Sequence, residues 1–444
     1  MSAYIVEGGR KLSGSIRVSG NKNEALPVIA ASLACKSRVT LNNLPDIGDV
    51  RKMLSIAHAL GCRVSALRSN SAVIDSSPSL KSQLPLELSA AIRGSILFAS
   101  SLLIRTGKAI LPQPGGDTIG RRRLDTHFLV FKALGAKLKI IEQKAGSKKG
   151  AITYVLEAPK GLRGGHIYLD ETSVTATENA LIAASGARSR TVIANAASEP
   201  HVQGLCRLLQ AMGVTIEGVG SNVLTVTPAK HSAEPLSHTL GCDYIEAGSL
   251  IGLAAATGSS FAVTNVDIDS MRMILFQFSR LGITVKADRK KATIHVPARQ
   301  SMRIRKDLGN AIPKIEDSPW PGFPADLTSI MLVLATQAKG TCLIHEKLFE
   351  SRLFFVDTLI SMGAQIVLCD PHRAVVVGPS QLHAATITSP DIRAGMALLL
   401  AALAAKGTSI IHNIAQIDRG YERIDKRLGA LGARIKRHKE RRKH

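Results

Sequence analysis

Along the chain an apolar stretch gives way to a Gly or small polar break and then to a run of β-formers, six times over. The copies span residues 23–43, 90–111, 176–197, 246–266, 326–346 and 391–413. The first half of each is apolar nearly all round, as in Leu398-Leu399-Leu400-Ala401-Ala402-Leu403, which predicts a helix buried on every side. A second helical stretch follows each copy, ends in Leu-Gly or Met-Gly and runs on through a small residue into a β-former. Its glycines are Gly61, Gly135, Gly213, Gly282, Gly363 and Gly432, spaced 74, 78, 69, 81 and 69 residues apart. A helix that turns directly into a strand needs a left-handed residue at its C-terminal end, and Gly adopts that conformation without a Cβ penalty. Alternating segments such as 223–226 and 374–377 add one more strand to most units.

Each unit thus reads as helix, strand, helix, strand and a further strand. At about 70–80 residues it is a subdomain, longer than a solenoid repeat. Six such units can be grouped as three plus three, which would give two similar α/β domains; the pattern fixes the count of six and not the grouping, and clefts at domain interfaces are common ligand sites.

At 444 residues the chain exceeds one ordinary core. Its longest apolar run, Met396 to Ala405, has ten residues, half of what a spanning helix needs. The start, Met1-Ser2-Ala3-Tyr4, lacks a basic segment followed by a long apolar one, so no secretory signal is expected. The six cysteines include no C-x-x-C pair and suit buried thiols in a reducing cytoplasm. No ligand-like histidine pair suggests a metal.

The 57 Lys and Arg against 34 Asp and Glu give a formal charge of +23, which calls for an anionic partner. Residues 434–444 alone supply +6; a solvated end is the expectation for such a run. Aromatic residues are only 4% of the chain, which disfavours nucleic acid as the main partner.

Four places combine residue types that could carry chemistry. Ser19-Gly20-Asn21-Lys22-Asn23 precedes the first buried helix and suits an anionic ligand or a plain N-cap. The loop 112–123 holds two prolines, three glycines, Asp117 and the run Arg121-Arg122-Arg123. Three adjacent guanidiniums repel one another, and a phosphate or carboxylate partner would relieve that. Pro319 to Asp326 sets three prolines and the single Trp before a helix, with Asp326 either a cap or a reacting carboxylate. Arg352, Asp391-Ile392-Arg393 and Asp418-Arg419 place arginines beside acids, as ion pairs or ligand sites. The chain has no Walker A, G-x-G-x-x-G or G-x-S-x-G motif. The residues therefore point to a small, multiply anionic ligand.

Together these motifs resemble the enolpyruvyl transferases, and within them the branch whose acceptor is UDP-N-acetylglucosamine in peptidoglycan synthesis. The resemblance runs from Gly8 to about Ile435. It rests on Ser19-Gly-Asn-Lys-Asn23, Pro114-Gly-Gly-Asp-Thr-Ile-Gly120, Ala176-Thr-Glu-Asn179, Phe323-Pro-Ala-Asp326, Phe349-Glu-Ser-Arg352, Asp391-Ile-Arg393 and Ile417-Asp-Arg-Gly-Tyr-Glu-Arg423.

The resemblance implies two domains of three βαβαββ-type repeats about a pseudo-threefold axis, an inside-out α/β barrel in each. The chain would cross between them twice, giving residues 22–241 and residues 1–21 with 242–435, followed by a basic tail 436–444. It implies a cytoplasmic enzyme with no cofactor, acting on phosphoenolpyruvate and a uridine nucleotide. Protonation of the methylene carbon leaves oxocarbenium character at C2, the sugar 3-hydroxyl adds, and phosphate leaves the tetrahedral ketal.

By the same resemblance Lys22, Arg93, Arg122, Arg352, Arg393 and Arg419 surround phosphoenolpyruvate, with Lys22 and Arg419 also among the catalytic groups. Asp117 is the proton donor, Asp326 the base for the 3-hydroxyl, and Asp391 a second carboxylate. Asn23, Asp326 and Leu348 face the sugar; Arg122, Arg123, Leu124 and Asp125 face uridine; Ser173, Val174 and Thr175 face the diphosphate. Asp117 stands where many members have Cys, so alkylation by fosfomycin is not expected. Glu171 and Thr175 stand where Lys and Gly are common. These departures keep two alternatives open: transfer to another acceptor, such as the 3′-hydroxyl of UMP in nucleoside-antibiotic synthesis, or a non-catalytic binding paralogue.

Overall fold

The computed structural model describes residues 2–116, 120, 123–142, 152–229 and 234–439. The chain forms two compact units. One comprises Met1–Ser19, Thr118–Arg122 and Cys242–His444, the other Gly20–Asp117 and Arg123–Gly241.

The six repeat glycines take φ values from 80° to 113°, so each marks a left-handed helix exit, as the pattern predicts. The described strands form six separate sheets, five of four strands and one of three, and none closes on itself as a barrel. One repeat shows the plan. Strand Gly165–Tyr168 leads into helix Val174–Ser185 and strand Thr191–Ala194, then helix Pro200–Ala211 and strands Thr215–Glu217 and Val223–Thr227. The first two strands are parallel, as a crossover through a helix requires. Val223–Thr227 pairs antiparallel with Thr191–Ala194, and Thr215–Glu217 closes the edge. The leading strand of the repeat, four residues long, is too short to show as an alternating pattern.

The apolar helices form the centre of each unit. Lys22–Ala31, Phe98–Thr106 and Val174–Ser185 pack together in one; Tyr244–Ala256, Thr328–Gln337 and Ile392–Ala404 pack together in the other. Residues Ile392 to Leu403 are buried without exception. Helices inside and sheets outside agree with the all-round apolar pattern. Asn21, Ser173, Asp243 and Asp391 cap four of them by accepting from first-turn backbone N–H groups.

Strand Ser2–Glu7 lies antiparallel between Thr408–His412 and Arg434–Lys439, so the first strand completes the last repeat. The expectation of a loose end over residues 434–444 is corrected for its first six residues; 440–444 lie outside the described residues. Strand Arg434–Lys439 is paired, and Arg437 donates to Asp418 (2.6 and 2.9 Å), Asp425 (3.2 Å) and the Tyr4 hydroxyl (2.8 Å). Its charge is used internally. The six cysteines are free thiols; Cys35, Cys62, Cys206 and Cys342 are buried, whereas Cys369 is exposed. No described helix is long and apolar enough to cross a membrane.

Candidate functional site

Two sets of the expected residues emerge, one in each unit. In the unit containing the C-terminal half, Asp326 sits in a one-turn 3-10 helix, Ala325–Leu327, ahead of helix Thr328–Gln337. It does not cap that helix. Its carboxylate instead accepts from two guanidiniums: Arg352 Nη2 at 3.1 Å on Oδ1 and Arg393 Nη2 at 2.7 Å on Oδ2. Both arginines are nearly inaccessible, with side-chain exposures of 2% and 6%, while Asp326 keeps 25%. Two buried cations thus converge on one partly open carboxylate.

Each arginine has further support. Arg352 stacks over the Phe349 ring at 4.8 Å. Its Nε lies 3.9 Å from Glu346, which is fully buried. Burial pushes the Glu346 carboxyl up to about 9, with Arg352 partly offsetting this. Arg393 donates to the Tyr421 hydroxyl at 3.3 Å. Burial alone would lower the Arg393 pKa, but Asp326 and Tyr421 hold it well above the ordinary range. Asp391 is the cap of helix Ile392–Ala404, its Oδ1 accepting from the Arg393 and Ala394 amides at 2.8 and 3.0 Å. Arg419 donates to Gln416 at 2.8 Å, and Leu348 is 46% exposed.

In the other unit Lys22 opens helix Lys22–Ala31, is 8% exposed and pairs with buried Asp49 at 3.0 Å. Asn23 follows it, its amide bound to Asn21 Oδ1 at 2.8 Å. Arg93 donates to the Arg123 carbonyl at 2.8 Å. Arg123 is shared between Asp125 (3.1 Å) and Asp170 (3.3 Å), and Leu124 is buried. Ser173 caps helix Val174–Ser185, whose first turn carries Val174 and Thr175. The Thr175 hydroxyl lies 3.2 Å from His127 Nε2. Asp117 and Arg122 lie outside the described residues.

The structure therefore joins Asp326, Arg352 and Arg393 directly, and joins Arg93 to Arg123 through a backbone carbonyl. Sequence reasoning missed Asp49, Glu346 and His127. Tyr421 lay within a quoted motif but carried no assigned role. Asp49 is 27 positions from Lys22 and signalled by nothing local; Glu346 reads as one polar residue ending a β-run.

The model of the EPSP synthase (3-phosphoshikimate 1-carboxyvinyltransferase) family matches residues 6–428. Two relatives named UDP-N-acetylglucosamine 1-carboxyvinyltransferase are similar over nearly their whole length. The one from Treponema denticola is 51% identical, covering 98% of this chain and 99% of its own. The one from Bradyrhizobium diazoefficiens is 50% identical, covering 99% and 98%. Among solved structures, the enolpyruvyl transferase NikO from Streptomyces tendae superposes with a TM-score of 0.84 at 24% identity, over 98% of each chain. EPSP synthase from Acinetobacter baumannii gives 0.73 at 15% identity, over 99% of this chain and 100% of that one. At those identities the two structures speak for the fold.

Proposed function

The chain belongs to the EPSP synthase (3-phosphoshikimate 1-carboxyvinyltransferase) family, and on that premise we propose that it transfers the enolpyruvyl group of phosphoenolpyruvate to the 3-hydroxyl of UDP-N-acetylglucosamine, releasing phosphate. One observation carries the choice of acceptor: relatives bearing that activity in their names share about half of its residues end to end. The reaction belongs to peptidoglycan synthesis and needs no cofactor.

Phosphoenolpyruvate brings about three negative charges in a small volume, so preorganised cations are the main requirement. Lys22, Arg93, Arg122, Arg352, Arg393 and Arg419 are assigned that task. Asp326 is assigned the base that takes the proton of the 3-hydroxyl. Its two oxygens accept from Arg352 and Arg393. A bound carboxylate or phosphate would compete for these guanidiniums and leave Asp326 a stronger acceptor as the hydroxyl arrives. Asp117 is assigned proton delivery to the methylene carbon. Asn23 and Leu348 take the sugar, residues 122–125 the uridine, and Ser173, Val174 and Thr175 the diphosphate.

Replacing Asp326 by Asn keeps the shape and removes the base. Turnover is expected to fall at least about a hundredfold, while UDP-N-acetylglucosamine binding by calorimetry stays within several-fold. Turnover within tenfold of the parent chain would remove Asp326 from that role.

A further inference from the structure

Helix Val174–Ser185 begins beside an unusual balance of charge. Asp125, Asp170 and Glu171 are exposed near its start, and Arg123 is already divided between the first two. A diphosphate placed there meets these three carboxylates beside a shared Arg123. What the structure supplies instead is a directed hydroxyl, and its direction follows from a chain of bonds that begins in the core.

Asn179 is fully buried. Its Nδ2 faces the Ile96 carbonyl at 3.2 Å, and a carbonyl can only accept, so this atom is the amide nitrogen. The Ser100 hydroxyl lies 2.7 Å from its Oδ1 and 2.8 Å from the Asn179 backbone carbonyl, and its one proton goes to one of the two. The same Nδ2 lies 2.9 Å from His127 Nδ1, which must therefore accept. In a neutral imidazole the proton then resides on Nε2. That nitrogen faces Thr175 Oγ1 at 3.2 Å, so the hydroxyl oxygen accepts from it. Among the described residues no acceptor takes the Thr175 hydroxyl proton. By contrast Thr177, one turn deeper, donates to the Ser173 carbonyl at 2.8 Å. The Thr175 proton is left to point at whatever occupies the helix start.

We propose that His127 is a positioning residue for the acceptor's diphosphate, holding the Thr175 hydroxyl as a one-way donor to a phosphate oxygen. The inference rests on the uridine-diphosphate acceptor proposed above and specifies how this chain grips it. A neutral relay anchored by Asn179 and Ser100 adds affinity for the diphosphate without adding a cation beside Asp125, Asp170 and Glu171. It makes Thr175 sensitive to the diphosphate and indifferent to the nucleoside.

The test is calorimetric titration of the full chain with UDP and with uridine. Thr175→Val, which removes only the hydroxyl, should weaken UDP about tenfold, the scale of one hydrogen bond to a charged group. Uridine should change less than about twofold, and Thr175→Ser should recover UDP binding to within about threefold. In turnover, Thr175→Val should raise the KM for UDP-N-acetylglucosamine by a similar factor with kcat nearly unchanged. His127→Phe should weaken UDP comparably and add nothing in the Thr175→Val background. Should that variant fail to fold, 15N NMR of the parent chain decides: the relay requires His127 protonated at Nε2. A proton on Nδ1, an unchanged UDP affinity in Thr175→Val, or equal losses for UDP and uridine would each overturn the relay while leaving the acceptor assignment standing. A parent chain that binds no UDP would overturn both.

Discussion

Asp326 and the two arginines upon it show why residue type alone underdetermines a role. The motif Phe323-Pro-Ala-Asp326 is readable in sequence, but its carboxylate suits capping and catalysis alike. The structure decides against the cap, because Arg352 and Arg393 occupy its oxygens. Behind them Glu346 is a group that no pattern announces, and it yields a pH prediction. A free Glu ionises near 4.5, whereas burial pushes Glu346 up to about 9. Between those values the folded chain holds a proton that the unfolded chain has released. Stability contributed by this group is therefore full below about 4.5, falls as pH rises, and levels off above about 9. Glu346→Gln cannot ionise and should flatten that decline in urea-denaturation midpoints measured from pH 5 to 9. An equally steep decline in the variant would assign the slope to other groups.

At the scale of elements, the six helix–Gly–strand signals were legible because a left-handed exit admits little but Gly, and all six carry positive φ. The buried helices were legible because burial on every side leaves no polar face. The short leading strands were not, and neither were contacts such as Lys22–Asp49, whose partners are joined only by the fold. Asp391 belongs to this scale, since its oxygen caps helix Ile392–Ala404. Asp391→Ala should cost about 1 kcal/mol of stability. Asp391→Asn preserves a capping oxygen, so its stability should match the parent, and any large loss of turnover would be the signature of a second role in the reaction. Gly8 tests the packing between strand and helix. A Cβ there would sit 2.2 Å from the Ala405 carbonyl oxygen and 2.3 Å from that of Ala402, both backbone atoms. Gly8→Ala should lower the unfolding free energy by roughly 3 kcal/mol, the upper range for overpacking; an unchanged denaturation midpoint would show that the strand can shift.

For the whole molecule, the charge of +23 predicts an anionic partner but does not say where its members act. Part of the basic C-terminal run is structural: Arg434 pairs with Glu7, and Arg437 with Asp418 and Asp425. The cations assigned to chemistry are instead few: Lys22 opens a helix, and Arg352 and Arg393 lie against Asp326. Their spacing over the six repeats made the family recognisable, whereas the acceptor rests on the close relatives. Phosphate release from phosphoenolpyruvate by the purified chain, measured separately with UDP-N-acetylglucosamine, UMP and shikimate 3-phosphate, tests that choice most directly. Release with UDP-N-acetylglucosamine alone is the expected result; release only with UMP or shikimate 3-phosphate, or with none of the three, would contradict it.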